Sequence, residues 1–444
     1  MNRGIIRTCL FLCLVLAALL ALRALPAFTA GGYEIKTVDF LADLLPEDTI
    51  RPIDMAPKAT AAKVTKRDTC PVGMTCIEDY ADSTLRGMAP FYKALASRYS
   101  MGRPVRIAYF GDSFIEGDIL TADLRALLQR HYGGNGVGFV DIASPFTKLR
   151  TSVKHRAIGW TEHNVLEKKG LNMAELGVTC RYARGGNGAS VSYSGVNDYN
   201  NLRRFDRATL YLSAVAPLTV SAMLNGADTL SLTAQGHGQV EALHVDGPMS
   251  EVTFTLGGHA TCYGVALEDR QGVILDNFSL RGSSGTPLAA ISPAHLHQLS
   301  EVRPYDLIVL QFGLNVASKK QLKYDYYIRQ MKKVIANFKS AFPKAGILVV
   351  SIGDREDRIN GQLCTMPGVK ALINYQQMMA MEEGIAFWNL YEAMGGEGAM
   401  RRMADARPAE AGRDYTHINR RGGKRIAGIL FKALVHGFDT SQRP

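Results

Sequence analysis

The chain has 444 residues, which is long enough for two or three domains with substantial hydrophobic cores. Hydrophobic residues make up 47% of the chain and charged residues 21%, which excludes an intrinsically disordered protein. The formal net charge is +10, but no nucleic-acid-binding motif accompanies it, so we expect no nucleic-acid partner.

Residues 1–30 have the pattern of an export signal. Two arginines precede an apolar run over residues 9–22, and Arg23 and Pro26 follow it. The run is shorter than the roughly 20 residues of a membrane span and fits the core of a secretory signal peptide. The alternative is an uncleaved anchor in the inner membrane. Either would place the rest of the chain outside the cytoplasm, in the periplasm or cell envelope.

The cysteines are consistent with an oxidising compartment. Cys70 and Cys76 bracket a short loop in a loop-rich N-terminal extension, residues 31–84, and could form a disulfide. Cys180 and Cys262 lie near opposite ends of a β-rich segment and could form another.

No zinc-binding motif is present, and we expect no metal or organic cofactor. His295 and His297 are the nearest thing to a metal motif, and we interpret them as surface histidines.

A first α/β segment spans residues 85–150. The apolar spacing predicts a helix over 85–99, a strand over 105–110 and a helix over 119–132 with Asp118 as its N-cap. The glycines over 133–138 follow a helix and lack the Lys-Ser/Thr ending of a phosphate loop, so they predict a turn.

Residues 151–275 have the texture of a β domain. Short alternating runs are separated by Gly, Asn and Asp, which predicts an antiparallel sandwich or jelly roll. These runs are 190–194, 209–212, 218–224 and 252–256.

Helix–strand alternation returns over residues 276–440. The predicted strands are 306–312, 347–352 and 386–390, and the predicted helices are 321–340, 367–382 and 421–435. Alternation of this kind is typical of a parallel, doubly wound sheet. We therefore predict one α/β domain that is interrupted by an inserted antiparallel β domain.

Lysines crowd the predicted helix over 321–340 and its lead-in. We interpret them as a solvated helix face, with attraction to an anionic surface such as a cell-wall polymer or lipid headgroups as the alternative. They are Lys319, Lys320, Lys323, Lys332, Lys333 and Lys339.

Two distant segments offer the groups of a covalent acyl-transfer site. Ser113 follows a predicted strand and precedes a helix, so its hydroxyl should lie at the carboxyl end of the sheet. A serine hydroxyl needs a base, and His417 can supply it, while Asp414 can orient the imidazole. Donors for an oxyanion could come from the Gly282 backbone N–H and the Asn315 side-chain amide.

Four short blocks carry these groups, namely Gly-Asp-Ser at 111–113, Arg-Gly-Ser at 281–283, Gly-x-Asn at 313–315 and Asp-x-x-His at 414–417. In this order they resemble the SGNH hydrolase superfamily, also called GDSL-type esterases. The resemblance covers about residues 101–150 and 276–440 and implies a three-layer, flavodoxin-like α/β domain. It implies Ser113 as the nucleophile and Asp414 and His417 as the other members of a triad. It also implies that the Ser113 and Gly282 amides and the Asn315 side chain stabilise the oxyanion.

More narrowly, residues 111–118, 124–128, 136–140 and 263–285 look similar to exported bacterial peptidoglycan O-acetylesterases. In these a carbohydrate-binding-like β domain is inserted between the first two blocks. The resemblance implies an O-acetylated glycan polymer as substrate, no cofactor, and membrane contact only through an N-terminal anchor. We expect the β domain to hold the glycan.

Two positions depart from this pattern. Phe114 stands where those esterases often have His, and Val316 stands where many superfamily members have Asp. Neither belongs to the triad or to the oxyanion donors. Phe114 is expected in the core or the cleft wall, and Glu116 is expected to be a loop carboxylate.

Other functions remain open at this stage. No Gly-x-Ser-x-Gly elbow surrounds Ser113, which disfavours an α/β-hydrolase, and Glu116 with Asp118 is a poor pair for a glycosidase. The same site could serve a polysaccharide O-acetyltransferase, in which a glycan hydroxyl replaces water. A catalytically inactive glycan-binding envelope protein is the third reading.

Overall fold

The structure is a computed structural model that describes residues 70–81, 87–167 and 170–443, with a few positions before residue 36. The chain divides into two compact units, Met1–Pro57 and Lys58–Pro444. In the first unit, Phe28–Ala30 pairs antiparallel with Tyr33–Ile35. Most of the predicted signal segment over 1–30 and most of the extension over 31–84 lie outside the described residues.

The second unit contains a largely parallel sheet. Its strands, in chain order, are β1 (Val105–Gly111), β2 (Val273–Ser279), β3 (Leu307–Gln311), β4 (Gly346–Val350) and β5 (Ala386–Trp388). The spatial order is β2-β1-β3-β4-β5, which is the order of flavodoxin-like folds. Glu78–Asp79 adds a short antiparallel strand beside β5. Every residue of β1, β3 and β4 is buried, as expected when helices cover both faces.

Helices follow or precede each parallel strand. They are Ala89–Ala96, Thr121–Tyr132, Pro293–Val302, Asp325–Ala341, Pro367–Glu382, Leu390–Met394, Ala399–Asp405 and Arg420–Ser441. The parallel sheet and these helices fit the predicted α/β class. The predicted helix over 85–99 begins later, at Ala89, and residues 82–86 lie outside the described residues.

A second, antiparallel sheet is formed almost entirely by the chain between β1 and β2. Its nine strands within the described residues are Gly138–Val140, Lys154–Asn164, Arg181–Ser194, Phe205–Ser213, Leu218–Leu224, Asp228–Ala234, Val240–Met249, Glu251–Leu256 and Ala260–Glu268. Leu218–Leu224 buries every second residue, as expected for a sheet with one face on a core. A hydrophobic cluster separate from that of the parallel sheet lies against these strands.

These strands form one curled sheet, whereas the sequence predicts a sandwich or jelly roll. The long strand Arg181–Ser194 pairs with Glu251–Leu256 through its last residues and with Ala260–Glu268 through its first. Because this one strand pairs with both of these strands, all nine strands belong to one continuous sheet. Its outer strands, Asp228–Ala234 and Val240–Met249, contact each other, so the sheet nearly closes on itself.

Buried ion pairs join the two sheets. Arg303 donates to Asp276 of β2 at 2.8 and 2.9 Å and to Glu268 of the antiparallel sheet at 3.0 Å. Arg106 of β1 also pairs with Glu268, at 2.6 Å. Burial opposes ionisation of Glu268, but the two arginines outweigh it and lower its pKa to about 2. Two cations therefore balance two carboxylates in a place with almost no access to water.

Several local expectations need correction. Cys70 and Cys76 form the expected disulfide, but Cys180 and Cys262 are buried thiols in different hydrophobic clusters. His295 is buried against Tyr263 rather than exposed, since the helix Pro293–Val302 turns it inward, whereas His297 is exposed.

The basic residues of Asp325–Ala341 and its lead-in lie on a solvated face, as expected. Lys319 pairs with Asp357, Lys332 with Glu382, and Lys339 with Glu383. In the described part of the chain, no helix has the length and apolar character needed to cross a membrane.

Close packing of Gly423 on the nucleophile side of the molecule generates a stability prediction. A Cβ on Gly423 would lie 1.9 Å from the Ile119 carbonyl oxygen, so Gly423→Ala must push the helix Arg420–Ser441 outward. We expect a loss of about 1–3 kcal/mol in the free energy of unfolding, measured by denaturant titration.

Gly428 of the same helix provides the matched control. A Cβ there meets nothing within 4 Å, so Gly428→Ala should raise the free energy of unfolding by about 0.5–1 kcal/mol. Equal effects of the two substitutions would contradict this account of the packing.

Candidate active site

Three candidate groups lie at the carboxyl ends of neighbouring parallel strands. Ser113 follows β1, Gly282 follows β2 and Asn315 follows β3, and β1 lies between the other two. Open α/β sheets place their binding crevices at this edge, where the strand order reverses. The topology therefore brings to one edge of the sheet Gly282 and Asn315, which follow Ser113 by 169 and 202 positions in the chain.

Ser113, His417 and Asp414 form a continuous hydrogen-bonded chain. Ser113 Oγ lies 3.1 Å from His417 Nε2, and His417 Nδ1 lies 2.7 Å from Asp414 Oδ2. A proton on Nδ1 satisfies the carboxylate and leaves Nε2 free to accept from the serine hydroxyl. Ser113 is half-buried, while the His417 and Asp414 side chains are 49% and 53% exposed. Solvent therefore reaches the base.

Asp414 is held ionised by its own turn. Its Oδ1 accepts from the backbone N–H groups of Thr416 and His417, at 3.2 Å each. Burial acts to raise the pKa of Asp414, but these bonds and the imidazole outweigh it and the pKa is lowered. A carboxylate in this state is suited to orient an imidazole and to stabilise its cationic form.

The segment that carries His417 is tied to the last helix. The Gly412 N–H donates to the His417 carbonyl at 2.8 Å, and Tyr415 takes a left-handed conformation with φ of 50°. Asn419 then caps the helix Arg420–Ser441 by accepting from the Arg421 N–H at 2.9 Å. The helix in turn packs on the segment after Ser113 through Gly423, so the base and the nucleophile share one support.

Asp118 lies five residues after Ser113 and anchors this nucleophile segment through a set of buried contacts. It is completely buried and accepts from Thr121, Ser152 and Asn277, and it pairs with Arg125 and Arg150. The sequence predicts it as the N-cap of the following helix, but that helix begins at Thr121 after Leu120, with no side-chain cap. Burial opposes its ionisation, yet both arginines favour the charge and the pKa is held well below its ordinary range.

Two backbone donors are available beside the serine. In the described part of the chain, neither the Ser113 N–H nor the Gly282 N–H donates a hydrogen bond. Gly282 has φ of 73°, a conformation that favours glycine. Its loop is joined to β1 by a bond from the Leu280 N–H to the Gly111 carbonyl, at 2.9 Å.

The Asn315 amide lies in the same place but is already engaged. Its Nδ2 donates to Asp112 Oδ2 at 3.2 Å and to the Ser283 carbonyl at 3.0 Å. An oxyanion would therefore have to share one of these hydrogens. Asp112 also accepts from the Phe114 N–H at 2.9 Å, and burial raises the pKa of Asp112 to about 6. The sequence alone predicts no role in the site for Asp112 or Ser283. Their hydrogen bonds with Asn315 show that they position its amide.

The two positions that depart from the esterase pattern are packing residues here. Phe114 is 2% exposed within the hydrophobic core, as expected, and Val316 packs against the same core. Glu116 is buried and paired with Arg281, so it is a loop carboxylate, as expected. Asp118 is buried and pairs with Arg125 and Arg150. Neither is free to act in a glycosidase pair.

Among the described residues, no cluster of three or more His, Cys, Asp or Glu side chains is arranged to hold a metal ion.

Comparison with known proteins identifies the fold. A solved structure of a peptidoglycan O-acetylesterase is 21% identical and superposes with a TM-score of 0.68, over 82% of this chain and 99% of that chain. The chain shares the fold of this peptidoglycan O-acetylesterase. A family two carbohydrate esterase from Cellvibrio japonicus matches 66% of this chain and 99% of its own at 12% identity, but its TM-score of 0.27 is too low to support an argument. No protein-family model and no curated protein sequence matches the chain.

The carboxyl group of Glu162 is buried beside Arg181, which contacts the end of β2. Arg181 donates to the Ser279 carbonyl and to Asp141, at 3.2 Å each, and its Nε lies 3.3 Å from Glu162. Neither carboxyl oxygen of Glu162 has a hydrogen-bond partner within the described residues. Burial raises the pKa of Glu162 to about 7, although Arg181 favours the ionised form.

We expect Glu162 to make stability depend on pH. Its pKa rises from an ordinary 4.5 to about 7 in the folded state, so the unfolded chain loses this proton first as the pH increases. The contribution of Glu162 to the free energy of unfolding should be largest below pH 4.5 and fall as the pH rises to about 7. Denaturant titrations of the unmodified protein and of Glu162→Gln across this range measure it.

The variant should gain stability relative to the unmodified protein as the pH rises. The exposed Asp228 supplies the control, since Asp228→Asn removes no buried carboxyl and Asp228 is not among the charges that act on Glu162. A difference between Glu162→Gln and the unmodified protein that stays constant with pH would argue against this role.

Proposed function

We propose that the protein is an exported serine esterase that removes O-acetyl groups from peptidoglycan or another cell-envelope polysaccharide. The observation that carries the proposal is the chain Ser113–His417–Asp414, with contacts of 3.1 and 2.7 Å, beside two unengaged backbone N–H groups. These are the parts that ester hydrolysis through an acyl-enzyme needs. The solved esterase with the same fold supports the acetyl group and the glycan as the substrate class.

In the first half of the proposed reaction, Ser113 Oγ attacks the ester carbonyl while His417 Nε2 takes the hydroxyl proton. The Ser113 and Gly282 amides, with a shared Asn315 hydrogen, stabilise the negative oxygen of the tetrahedral intermediate. The intermediate collapses to acetyl-Ser113, and His417 returns the proton to the departing sugar hydroxyl. Asp414 stabilises the imidazolium between these two steps.

Water completes the reaction in the second half. His417 takes a proton from a water molecule as the water oxygen attacks the carbonyl carbon of acetyl-Ser113. The bond to Ser113 Oγ then breaks, His417 returns the proton to Ser113 Oγ, and the acetyl group leaves as acetate with loss of a proton to solvent. About half of the His417 side chain is exposed, so water can reach acetyl-Ser113. Transfer of the acetyl group to a glycan hydroxyl would instead need a cleft that excludes water. Hydrolysis is therefore preferred to an O-acetyltransferase reaction.

Export and glycan binding complete the proposal. The apolar run over residues 9–22 supports a signal or anchor, and the Cys70–Cys76 disulfide is of the kind that persists in an oxidising compartment. We propose that the antiparallel sheet binds the glycan chain near Ser113. Arg303 joins this sheet to the parallel sheet.

Acetate release tests the proposal. The full-length protein should release acetate from O-acetylated peptidoglycan, and Ser113→Ala should abolish the release because no other hydroxyl lies against His417 Nε2 in the described residues. Enzymatic determination of acetate measures both. Release that persists unchanged in Ser113→Ala would refute this mechanism, and a glycan-acetylated product without free acetate would favour the transferase.

Asp414→Asn tests how the base is oriented. Asparagine keeps the size of the side chain but removes the charge that fixes the Nδ1 proton, so kcat should fall roughly a thousandfold or more while KM changes little. Steady-state kinetics with a small acetyl ester measure this. Asp405→Asn, at an exposed carboxylate paired with Arg413, is the control and should be neutral. A loss below about tenfold in Asp414→Asn would argue that His417 is oriented by other groups.

A further inference from the structure

A guanidinium group stands directly beside the proposed oxyanion glycine. Arg281 precedes Gly282, and its side chain is 56% exposed. Its Nε donates to both carboxyl oxygens of Glu116 at 2.9 Å, and its Nη2 also donates to Glu116. In the described part of the chain no acceptor engages Nη1. Glu116 therefore fixes one edge of the guanidinium and leaves the edge between Nη1 and Nη2 open.

An aromatic ring holds this guanidinium from the side. The Arg281 guanidinium carbon lies 5.5 Å from the centroid of the Phe146 ring, within the range of a cation–π contact. Phe146 belongs to the segment Pro145–Leu149, which packs on the nucleophile loop, since a Cβ on Gly117 would lie 3.0 Å from the Leu149 carbonyl oxygen. Lys148 of the same segment is exposed and adds a second positive charge.

We propose that Arg281, held by Glu116 and Phe146, binds a carboxylate substituent of the glycan next to the ester that Ser113 attacks. This site, the carboxylate subsite, deepens the proposed function and rests on it. A planar carboxylate matches the open Nη1–Nη2 edge, because both of its oxygens can accept from parallel N–H groups. The preferred substrate is therefore an O-acetylated glycan whose sugars or substituents carry carboxylates.

The charge of Glu116 favours a carboxylate over a phosphate dianion. Arg281 already shares its single positive charge with Glu116, so a ligand with a second negative charge meets stronger repulsion than a monoanion. A charge-assisted, two-bond contact of this kind is worth about a tenfold preference in the dissociation constant over an uncharged ligand.

Binding to one polymer backbone with three substitution patterns tests the subsite. Full-length Ser113→Ala protein is titrated with O-acetylated dextran that is uncharged, carboxymethylated or phosphorylated, at fixed ionic strength. We expect the dissociation constant for the carboxymethylated polymer to be about tenfold lower than for the uncharged one, with the phosphorylated polymer between them. Arg281→Gln in the same background should reduce the preference to within about twofold, and Arg281→Lys should lose most of it because lysine lacks the fork.

Arg207 provides the matched control. It pairs with Asp246 through Nε and Nη2, at 2.7 and 2.9 Å, in the antiparallel sheet. Arg207→Gln should leave the preference for carboxymethyl groups unchanged.

Equal binding of the carboxymethylated and uncharged polymers would overturn the proposal, as would a preference retained in Arg281→Gln. Stronger binding of the phosphorylated polymer would overturn the choice of carboxylate. Acetate release from a small acetyl ester by the unmodified protein, which requires no glycan subsite, tests the proposed esterase separately, so the two failures are distinguishable.

Discussion

The buried charge of Asp118 is the interaction on which the nucleophile side of the site depends. A carboxylate without access to water is costly unless several donors surround it. Here those donors come from the helix after Ser113, from the loop before the strand Lys154–Asn164 and from β2, through Arg125, Ser152 and Asn277. One charge therefore fixes the relative positions of three parts of the chain. A movement of the loop that presents Ser113 away from these donors would leave that charge without partners.

His417, the proposed base, is held near this loop by packing of a different kind. The helix Arg420–Ser441 approaches Ile119 so closely that only glycine fits at position 423. The same helix begins at the Asn419 cap, two residues after His417. A displacement of the helix would therefore move the imidazole relative to Ser113. Since proton transfer needs hydrogen-bond distances, the proposed mechanism depends on this glycine contact.

Much of this architecture can be predicted from the sequence because its signals are local. Buried runs such as 105–110 and 347–352 predict parallel strands, and the strand followed by Ser113 predicts the edge where the hydroxyl lies. The alternating runs predict an antiparallel region, but not its curled single sheet, because the long strand Arg181–Ser194 contacts partners that only tertiary structure selects.

The less local features could not be predicted in this way. Asp118 has the spacing of an N-cap, and only the approach of Arg125 and Arg150 makes it a buried ionic centre. The engagement of both Asn315 amide hydrogens and the orientation of Arg281 by Glu116 depend on contacts between distant loops. Cys180 and Cys262 show the same limit, because their spacing permits a disulfide that the separate cores do not form.

The central claim is that Ser113 carries the acetyl group during the reaction, and one measurement tests it most directly. The full-length protein is mixed with a small acetyl ester, quenched with acid within a turnover, digested and examined by mass spectrometry. The account predicts that the peptide containing Ser113 gains the mass of one acetyl group. Acetate release with no acetyl group on Ser113, or with the acetyl group on another residue, would contradict it.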